Sequence, residues 1–213
     1  MNKILFTGGG SAGHVSVNVA LIPEFKKHGY QISYIGSKKG IEKEMIENIN
    51  DVKYHAISSG KLRRYFSWEN FIDPFKVLKG ILDSIFIIKK EKPDFIFSKG
   101  GFVSVPVCVA ARLLKVPVVL HESDLTPGLA NKINIKFSNH IFTTFEDTLN
   151  YLPKGKASLI GAIVRDAIYD GNKKRAYEFT GFNEGKPVIL VMGGSLGSKI
   201  LNDYIWDNID QLT

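Results

Sequence analysis

The chain has 213 residues, of which 44% are hydrophobic and 23% are charged, a balance typical of soluble globular proteins. Its single cysteine, Cys108, excludes an internal disulfide framework, and no stretch reaches the roughly 18 apolar residues that span a bilayer. The net charge of +7 favours acidic partners, and residues 61–92 hold eight basic against four acidic residues, more than half of that excess.

Short β-rich runs alternate with longer helical runs along the chain. Helix-length segments lie at 15–28, 74–91 and 103–114. This alternation predicts βαβ units and therefore an α/β fold with a Rossmann-like parallel sheet. The predicted strands cover residues 3–7, 31–35, 53–57, 94–98, 116–121, 140–144, 157–161 and 187–192.

A glycine loop occurs twice, each time between an apolar strand and a helix. Residues 8–14 read Gly-Gly-Gly-Ser-Ala-Gly-His, and residues 193–198 read Gly-Gly-Ser-Leu-Gly-Ser. Each pattern offers backbone N–H groups and a helix N-terminus to one spot, which favours a bound phosphate or diphosphate. Two such loops suggest two Rossmann-like halves that handle two phosphorylated partners.

The second half is only begun within this chain. A polar stretch at 171–187 has the composition of a connector, and one strand and one helix follow it. That is too little for a domain with its own core. We divide the chain into domains 1–162 and 163–213 and expect the second to be truncated.

The first loop also fits the dinucleotide fingerprint, with Gly8, Gly10 and Gly13 at the required spacing. That fingerprint needs an acid about 20 residues further on, at the end of the second strand. Residues 36–39 there read Gly-Ser-Lys-Lys, so NAD is disfavoured. The lysines leave an NADP-dependent enzyme open, and a purely structural glycine turn is a further alternative.

Polar clusters follow three of the predicted strands. His14 begins the helix after the first loop, and its imidazole could take a proton from an attacking hydroxyl, cap the helix or contact phosphate. Residues 98–102 and 120–124 form the other clusters. Ligands of open α/β sheets bind beyond the carboxyl ends of strands, which predicts one shared cleft. Glu122 and Asp124 could bond sugar hydroxyls there, although Glu122 could equally cap the next helix.

The predicted helix 74–91 carries apolar residues over about half of its circumference, more than the ~100° stripe of a core-facing helix. Its lysines and the aromatic, basic approach at 61–71 fit an anionic lipid surface, while a deeply buried helix is the alternative. Nucleic acid is disfavoured because no DNA- or RNA-binding motif accompanies the charge. The expected membrane contacts are Arg63, Arg64, Trp68, Phe71, Phe75 and Lys79.

Five motifs in order resemble the MurG family, the B-type glycosyltransferases of family 28 that add N-acetylglucosamine during peptidoglycan synthesis. The resemblance covers nearly the whole chain. The motifs are Gly-Gly-Gly-Ser-Ala-Gly-His at 8–14, Gly-Gly-Phe-Val-Ser at 100–104, His-Glu-Ser-Asp at 121–124 with Gly-Leu-Ala-Asn-Lys at 128–132, residues 161–165, and Gly-Gly-Ser-Leu-Gly at 193–197 with Asn202.

The resemblance implies an N-terminal acceptor-binding, membrane-associated domain over 1–162 and the start of a UDP-sugar-binding domain over 163–213. It implies an inverting transfer of N-acetylglucosamine from UDP-N-acetylglucosamine to the C4 hydroxyl of N-acetylmuramic acid in lipid I, which gives lipid II. His14 would be the general base, with no metal or other cofactor. The protein would be peripheral, at the cytoplasmic face of the bacterial membrane, and this chain alone is expected to be inactive.

The resemblance also implies individual binding roles. Two alternative functions stay open: a non-catalytic membrane-docking subunit of a two-part glycosyltransferase, and an NADP-dependent Rossmann oxidoreductase. The implied acceptor and diphosphate contacts are Gly9, Gly10, Ser11, Gly13, Gly100, Gly101, Phe102, Glu122, Asp124 and Asn131. The implied donor contacts are Ser11, Gly13, His14, Arg165, Ser195 and Asn202.

Overall fold

A computed structural model describes residues 2–60, 69–183, 185–194 and 197–212 of the chain. The chain forms two compact units, Met1–Ile168 and Tyr169–Thr213. The first unit extends six residues beyond the boundary predicted at 162. No helix in the described ranges combines the length and the apolar character needed to cross a lipid bilayer.

The first unit is built on a parallel sheet whose seven strands, among the residues described, follow the order β3-β2-β1-β4-β5-β6-β7. All of the paired neighbours run parallel, and the first seven predicted strands are confirmed. The strand order reverses between β1 and β4, which makes the carboxyl edge there the expected ligand crevice. The strands are β1 Lys3–Thr7, β2 Gln31–Ser37, β3 Val52–Ile57, β4 Phe95–Ser98, β5 Val118–Glu122, β6 His140–Thr143 and β7 Ala157–Leu159.

Helices cover both faces of the sheet, as the alternating pattern predicts. The helix α1 ends at its predicted position, with Gly29 in a left-handed conformation directly after the cap. In contrast, α3 begins at Glu69, five residues before the prediction, because Pro74 removes only one backbone donor and does not stop the helix. The helices are α1 Gly13–Lys27, α2 Ile41–Glu47, α3 Glu69–Glu91, α4 Ser104–Leu113, α5 Leu129–Asn134, α6 Lys173–Thr180, α7 Lys199–Asp207 and α8 Ile209–Leu212, with short 3-10 helices at Asp147–Tyr151 and Asp166–Ile168.

The core of the first unit has two layers, one on each face of the sheet. The central strand β1 sends Leu5 into the layer beneath α3 and α4, and Ile4 and Phe6 into the layer beneath α1 and α2. Both layers exclude water from β1, which explains its uninterrupted apolar sequence. This rigid centre fixes the position of the glycine loop that follows β1.

The second unit contains α6, α7 and α8. The strand predicted at 187–192 is wrong, since these residues have no regular secondary structure and their side chains are exposed. A β-strand is stable only when neighbouring strands accept its hydrogen bonds. No described residue pairs with this segment, so its apolar sequence alone does not make it a strand.

Candidate active site at the carboxyl edge of the sheet

The first glycine loop is held by hydrogen bonds within the protein. The Gly9 N–H donates to the carbonyl of Gly100 at 3.3 Å, and the Gly10 N–H donates to Oε2 of Glu42 at 3.2 Å. These two donors are therefore used by the fold, which corrects the expectation that the whole loop is open to phosphate. The N–H groups of residues 11–13, at the start of α1, have no hydrogen-bond acceptor in the described part of the chain. They are the donors available to an anion.

Glu42 was missed by the sequence analysis. Its side chain is fully buried, and it also accepts hydrogen bonds from the backbone N–H and the hydroxyl of Ser37. A Cβ atom on Gly9 would lie 2.5 Å from the Glu42 Cδ, so only glycine fits beside the carboxylate. The buried carboxylate closes the end of β2 against the loop and does not favour an NADP site there. Its sequence signal was weak, an acid in the first turn of a short helix.

The loop after β4 packs directly on the first glycine loop. Gly100 and Gly101 adopt positive φ angles of 94° and 81°, which favour glycine. A Cβ atom on Gly101 would lie 2.0 Å from the Gly9 carbonyl oxygen, and one on Gly100 would lie 2.5 Å from Oδ1 of Asn131. The glycine pair is thus required for close contact between the loops after β1 and β4.

Phe102 covers the first loop. A Cβ atom on Gly10 would lie 2.5 Å from Cε1 of the Phe102 ring, and the Phe102 side chain is half-buried. Phe102 therefore belongs to the cleft that the sequence predicted, and it restricts the space above Gly10.

Glu122 organises the loop between β5 and α5. It accepts hydrogen bonds from the N–H groups of Asp124 at 3.0 Å and Gly128 at 3.2 Å, and from Nδ2 of Asn131 at 2.9 Å. Gly128 is the N-cap residue of α5, so the capping alternative describes Glu122 better than a role in binding sugar hydroxyls. Asp124, in contrast, is exposed, and its carboxylate acts electrostatically on His14 and Lys99.

His14 lies at the junction of these loops. Its side chain is half-buried, and its Nδ1 atom has no hydrogen-bond partner in the described ranges. Burial and the charge of Lys99 lower the pKa of His14, and the carboxylates of Asp124 and Glu122 partly offset that effect. The imidazole is therefore neutral near pH 7 and able to accept a proton.

Lys99 is the second residue that the sequence analysis did not select. Its side chain is 1% exposed, and its Nζ atom donates to the hydroxyl of Ser123 at 2.8 Å. Burial lowers the pKa of Lys99, while the carboxylates of Glu122 and Asp124 oppose that change. The signal for Lys99 was its place between the end of a strand and a glycine pair.

His121 is a neighbour of Lys99 and is fully buried. Its ring stacks on Phe97, with the ring centroids 6.5 Å apart. Burial and the nearby charge of Lys99 lower the pKa of His121 to about 4, so this residue is neutral in the folded protein.

Of the predicted donor contacts, Ser11, Gly13 and His14 lie at the first glycine loop, and Arg165 lies elsewhere in the first unit. Arg165 is exposed, and the next residue, Asp166, lies near Lys27, whose pKa is raised first by its hydrogen bond with Glu24 and then further by the charge of Asp166. Lys27 is in the last turn of α1, roughly 20 Å along the helix from His14. Asn202 is exposed in the second unit, and Ser195 lies outside the described residues.

The predicted membrane contacts lie on and before α3. Arg63, Arg64 and Trp68 lie outside the described residues, as does the side chain of Phe71. Phe75 is 73% exposed, and Lys79 is exposed beside Asp83 at 3.7 Å. The outer face of α3 carries Phe75, Leu78, Leu82 and Phe86, which are all exposed, whereas Ile81, Ile85 and Ile88 pack on the core. The alternative of a deeply buried helix is wrong.

Across the parts of the chain that the structure describes, no three His, Cys, Asp or Glu side chains are grouped so that they could hold a metal ion. The polar groups of the cleft instead provide backbone donors, one neutral imidazole, one buried ammonium group and one exposed carboxylate. Such a set suits an anionic ligand beside a proton transfer.

Comparison with known proteins agrees with this geometry. Residues 4–143 match the N-terminal domain of glycosyltransferase family 28. The chain belongs to glycosyltransferase family 28. It therefore has the N-terminal fold of this family, and the predicted α/β class with a Rossmann-like parallel sheet is confirmed.

Relatives within family 28 are similar over the whole chain. The chain is 64% identical over 213 residues to the UDP-N-acetylglucosamine--N-acetylmuramyl-(pentapeptide) pyrophosphoryl-undecaprenol N-acetylglucosamine transferase of Staphylococcus saprophyticus, and 63% identical to that of Staphylococcus aureus strain MRSA252. It covers 60% of the length of each relative. The resemblance to the MurG family is confirmed.

Two solved structures are also similar to this chain. The crystal structure of Acinetobacter baumannii MurG matches the whole chain with a TM-score of 0.74 and 25% identity, over 56% of its own length. A UDP-GlcNAc 2-epimerase from Neisseria meningitidis bound to UDP-GlcNAc matches 99% of this chain with a TM-score of 0.65 and 17% identity, over 63% of its own length. The similarity to the epimerase concerns the fold alone.

Proposed function

We propose that this chain is the N-terminal part of an inverting glycosyltransferase that moves N-acetylglucosamine from UDP-N-acetylglucosamine to the C4 hydroxyl of N-acetylmuramic acid in lipid I, giving lipid II. The names of relatives that are 63–64% identical over the whole chain support this proposal. The observation that carries it is the neutral imidazole of His14 at the point where the loops after β1, β4 and β5 converge.

In the proposed reaction, His14 acts as general base. One nitrogen of its neutral imidazole takes the proton of the C4 hydroxyl while that oxygen forms a bond to the anomeric carbon of N-acetylglucosamine. The bond from the anomeric carbon to the β-phosphate oxygen breaks on the opposite face, and its electron pair leaves with UDP. The configuration at the anomeric carbon is therefore inverted. Backbone N–H groups and cations offset the growing negative charge, and the proposal includes no metal or other cofactor.

Acceptor binding is assigned to the first unit. The N–H groups of residues 11–13 would bind the diphosphate of lipid I, and Gly9, Gly10, Gly100 and Gly101 would shape that site. Phe102 and Asp124 line the cleft, while Glu122 and Asn131 hold the loop that presents Asp124. Donor contacts by Arg165, Ser195 and Asn202, and the division into acceptor and donor domains at 162, are proposals for the longer protein.

A membrane role is proposed for the outer face of α3. Two phenylalanines and two leucines are exposed there, one helical turn apart, and Lys76, Lys79, Lys89 and Lys90 lie on the same helix. An apolar stripe with flanking cations fits the surface of an anionic bilayer. We therefore propose a peripheral protein at the cytoplasmic face of the bacterial membrane.

The membrane proposal can be tested with Phe86→Ser, since Phe86 is 73% exposed on α3. We expect weaker binding to phosphatidylglycerol vesicles in a sedimentation assay, with unchanged thermal stability. Phe179→Ser is the matched control, because Phe179 is 92% exposed but lies on α6 in the second unit. Equal vesicle binding by the two variants would contradict the proposal.

The transferase proposal is tested in a fusion of this chain to the remaining two fifths of the Staphylococcus saprophyticus relative. The assay follows transfer of labelled N-acetylglucosamine to a short-prenyl analogue of lipid I, with and without EDTA. His14→Gln should lower kcat by about 10²- to 10⁴-fold, whereas His28→Gln, at the exposed end of α1, should not. Turnover of His14→Gln within tenfold of the wild type would eliminate His14 as the base.

A further inference from the structure

The ammonium group of Lys99 is unusual in its degree of burial. Its side chain is 1% exposed, at the carboxyl end of the central strand β4. Moving a charged amine out of water costs several kcal/mol unless other groups compensate it. Buried lysines are consequently rare and are paired when they occur.

Compensation of Lys99 within the protein is incomplete. The hydroxyl of Ser123 accepts one of the three donors on Nζ, and no described carboxylate forms an ion pair with this group. Glu122, the buried acid at the end of the neighbouring strand β5, is already engaged by the loop that it organises. A buried cation without an ion-pair partner among the described residues favours an anion that arrives from outside the fold.

The surroundings of Lys99 point in the same direction. Its Cβ atom lies 3.2 Å from the position that a Cβ atom on Gly8 would take, so the lysine sits directly beneath the first glycine loop. The N–H groups of residues 11–13 on that loop have no acceptor among the described residues. Lys99 and these N–H groups therefore lie at the same glycine loop, which leads into α1.

Ser123 provides a path from the buried charge to the cleft. Because Nζ donates to the serine oxygen, the hydroxyl proton of Ser123 is left to be donated to another group. Ser123 is half-buried, whereas Lys99 is not accessible. The hydroxyl can thus contact a ligand that the ammonium group reaches only through its field.

We propose that Lys99 is a positioning residue of this cleft: its ammonium group, fixed on Ser123, supplies the buried positive charge that holds a diphosphate at the N-terminus of α1. The inference rests on the proposed function, where the diphosphate is that of lipid I. It deepens that function because it names a side chain that the glycine loops require in addition to their backbone.

Several charged or titratable groups face Lys99. His14 approaches from α1, His121 from β5, and the carboxylates of Glu122 and Asp124 from the loop after β5. Glu42 faces the other side of the first loop from α2. The ammonium group is the one cation in this described set, and burial, followed by this charge, lowers the pKa of both histidines. Removing it should therefore raise the pKa of His14.

The test uses calorimetric titration of the 213-residue chain with geranyl diphosphate and, separately, with UDP. Lys99→Met keeps the side-chain volume and removes the charge, and Lys136→Met is the control because Lys136 is exposed beyond α5. We expect Lys99→Met to weaken geranyl diphosphate binding at least tenfold, Ser123→Ala to weaken it less, and Lys136→Met to stay within threefold of the wild type. A loss confined to UDP would overturn the inference, because the charge of Lys99 would then serve the donor diphosphate.

Two further measurements separate positioning from simple structural support. Thermal unfolding without ligand should show that Lys99→Met melts no lower than the wild type, because an apolar side chain replaces an incompletely compensated charge. NMR titration of the ring signals should show a higher pKa for His14 in Lys99→Met.

Diphosphate binding by Lys99→Met within threefold of the wild type would overturn the inference, as would a wild-type chain that binds neither probe. A lower melting temperature with unchanged titration of His14 would also overturn it, because a structural lysine predicts that result. If the fusion protein transfers N-acetylglucosamine while Lys99→Met binds normally, the proposed function stands without this inference. If diphosphate binding depends on Lys99 and transfer never occurs, the binding site stands and the proposed transferase is wrong.

Discussion

The two glycine loops have closely similar sequences and different surroundings. The loop after β1 is preceded by a strand that is paired on both sides, and its Gly9 and Gly10 donors are taken by Gly100 and Glu42. The loop that begins at Gly193 follows a segment without strand partners among the described residues. A glycine pattern therefore predicts where a loop lies, while the elements packed around it determine its conformation.

The strongest test of this comparison is Gly101→Ala against Gly194→Ala. The new Cβ atom at 101 would lie 2.0 Å from the Gly9 carbonyl oxygen at a positive φ, whereas nothing lies within 4 Å at 194. We expect Gly101→Ala to lower the free energy of unfolding by roughly 4 kcal/mol and Gly194→Ala to change it little, as measured by urea denaturation. Equal effects would show that the two loops are equally constrained.

The next largest effect is expected from pH, through His121. Its pKa is about 4 in the folded chain and about 6.5 when unfolded. The unfolded state alone binds the proton between these values, so this contribution to stability is complete above pH 6.5 and is lost as the pH falls through 4. Denaturation curves from pH 7 to pH 4 measure how much free energy of unfolding is lost on acidification. We expect His121→Gln to reduce that loss by roughly 3 kcal/mol. His28→Gln, at an exposed position, should leave the pH dependence as it is.

Glu42→Gln sharpens the comparison from the other side of the first loop. The amide nitrogen cannot accept a hydrogen bond, so either the Gly10 N–H or the Ser37 donors lose their partner in a buried site. The expected loss is about 2 kcal/mol in the free energy of unfolding. Glu44→Gln is the control in the same helix, since Glu44 is exposed. No difference between the two variants would mean that Glu42 does not hold the loop.

The smallest effect is expected in the second unit, at the N-cap of α6. The side chain of Asn172 accepts a hydrogen bond from the Arg175 N–H at 3.0 Å. Asn172→Ala should cost about 1 kcal/mol of helix stability, seen as faster amide hydrogen exchange within α6. Exchange in β1 should not change, and faster exchange there would show that the stabilities of the two units are coupled.

The sheet could be predicted from the sequence, because its strands are short runs rich in β-forming residues that alternate with helix-length segments. The segment 187–192 has the same pattern and is not a strand, since a pattern specifies a strand only if partners exist. The start of α3 was misplaced because Pro74 is a strong signal for a first turn and a weaker barrier inside a helix.

The candidate site was predicted in its location and less well in its chemistry. His14 and Phe102 are where the motifs placed them, beside the glycine loops. Glu42 and Lys99 were missed, because their roles depend on neighbours far away in the chain: the Gly10–Glu42 bond spans 32 residues and the Lys99–Ser123 bond spans 24. Separations of this kind have no periodic signature in a single sequence.

The position of β1 at the centre of the sheet has a consequence for synthesis of the chain. β1 is translated first, yet one of its neighbours is β4, and the Lys3 N–H binds Asp94, 91 residues later. At about 5–20 residues per second, the ribosome needs roughly 5 to 20 s to deliver that partner. During this interval the nascent chain exposes Ile4, Leu5 and Phe6. The central strand, which is buried on both faces in the folded unit, therefore stays exposed until β4 has been synthesised.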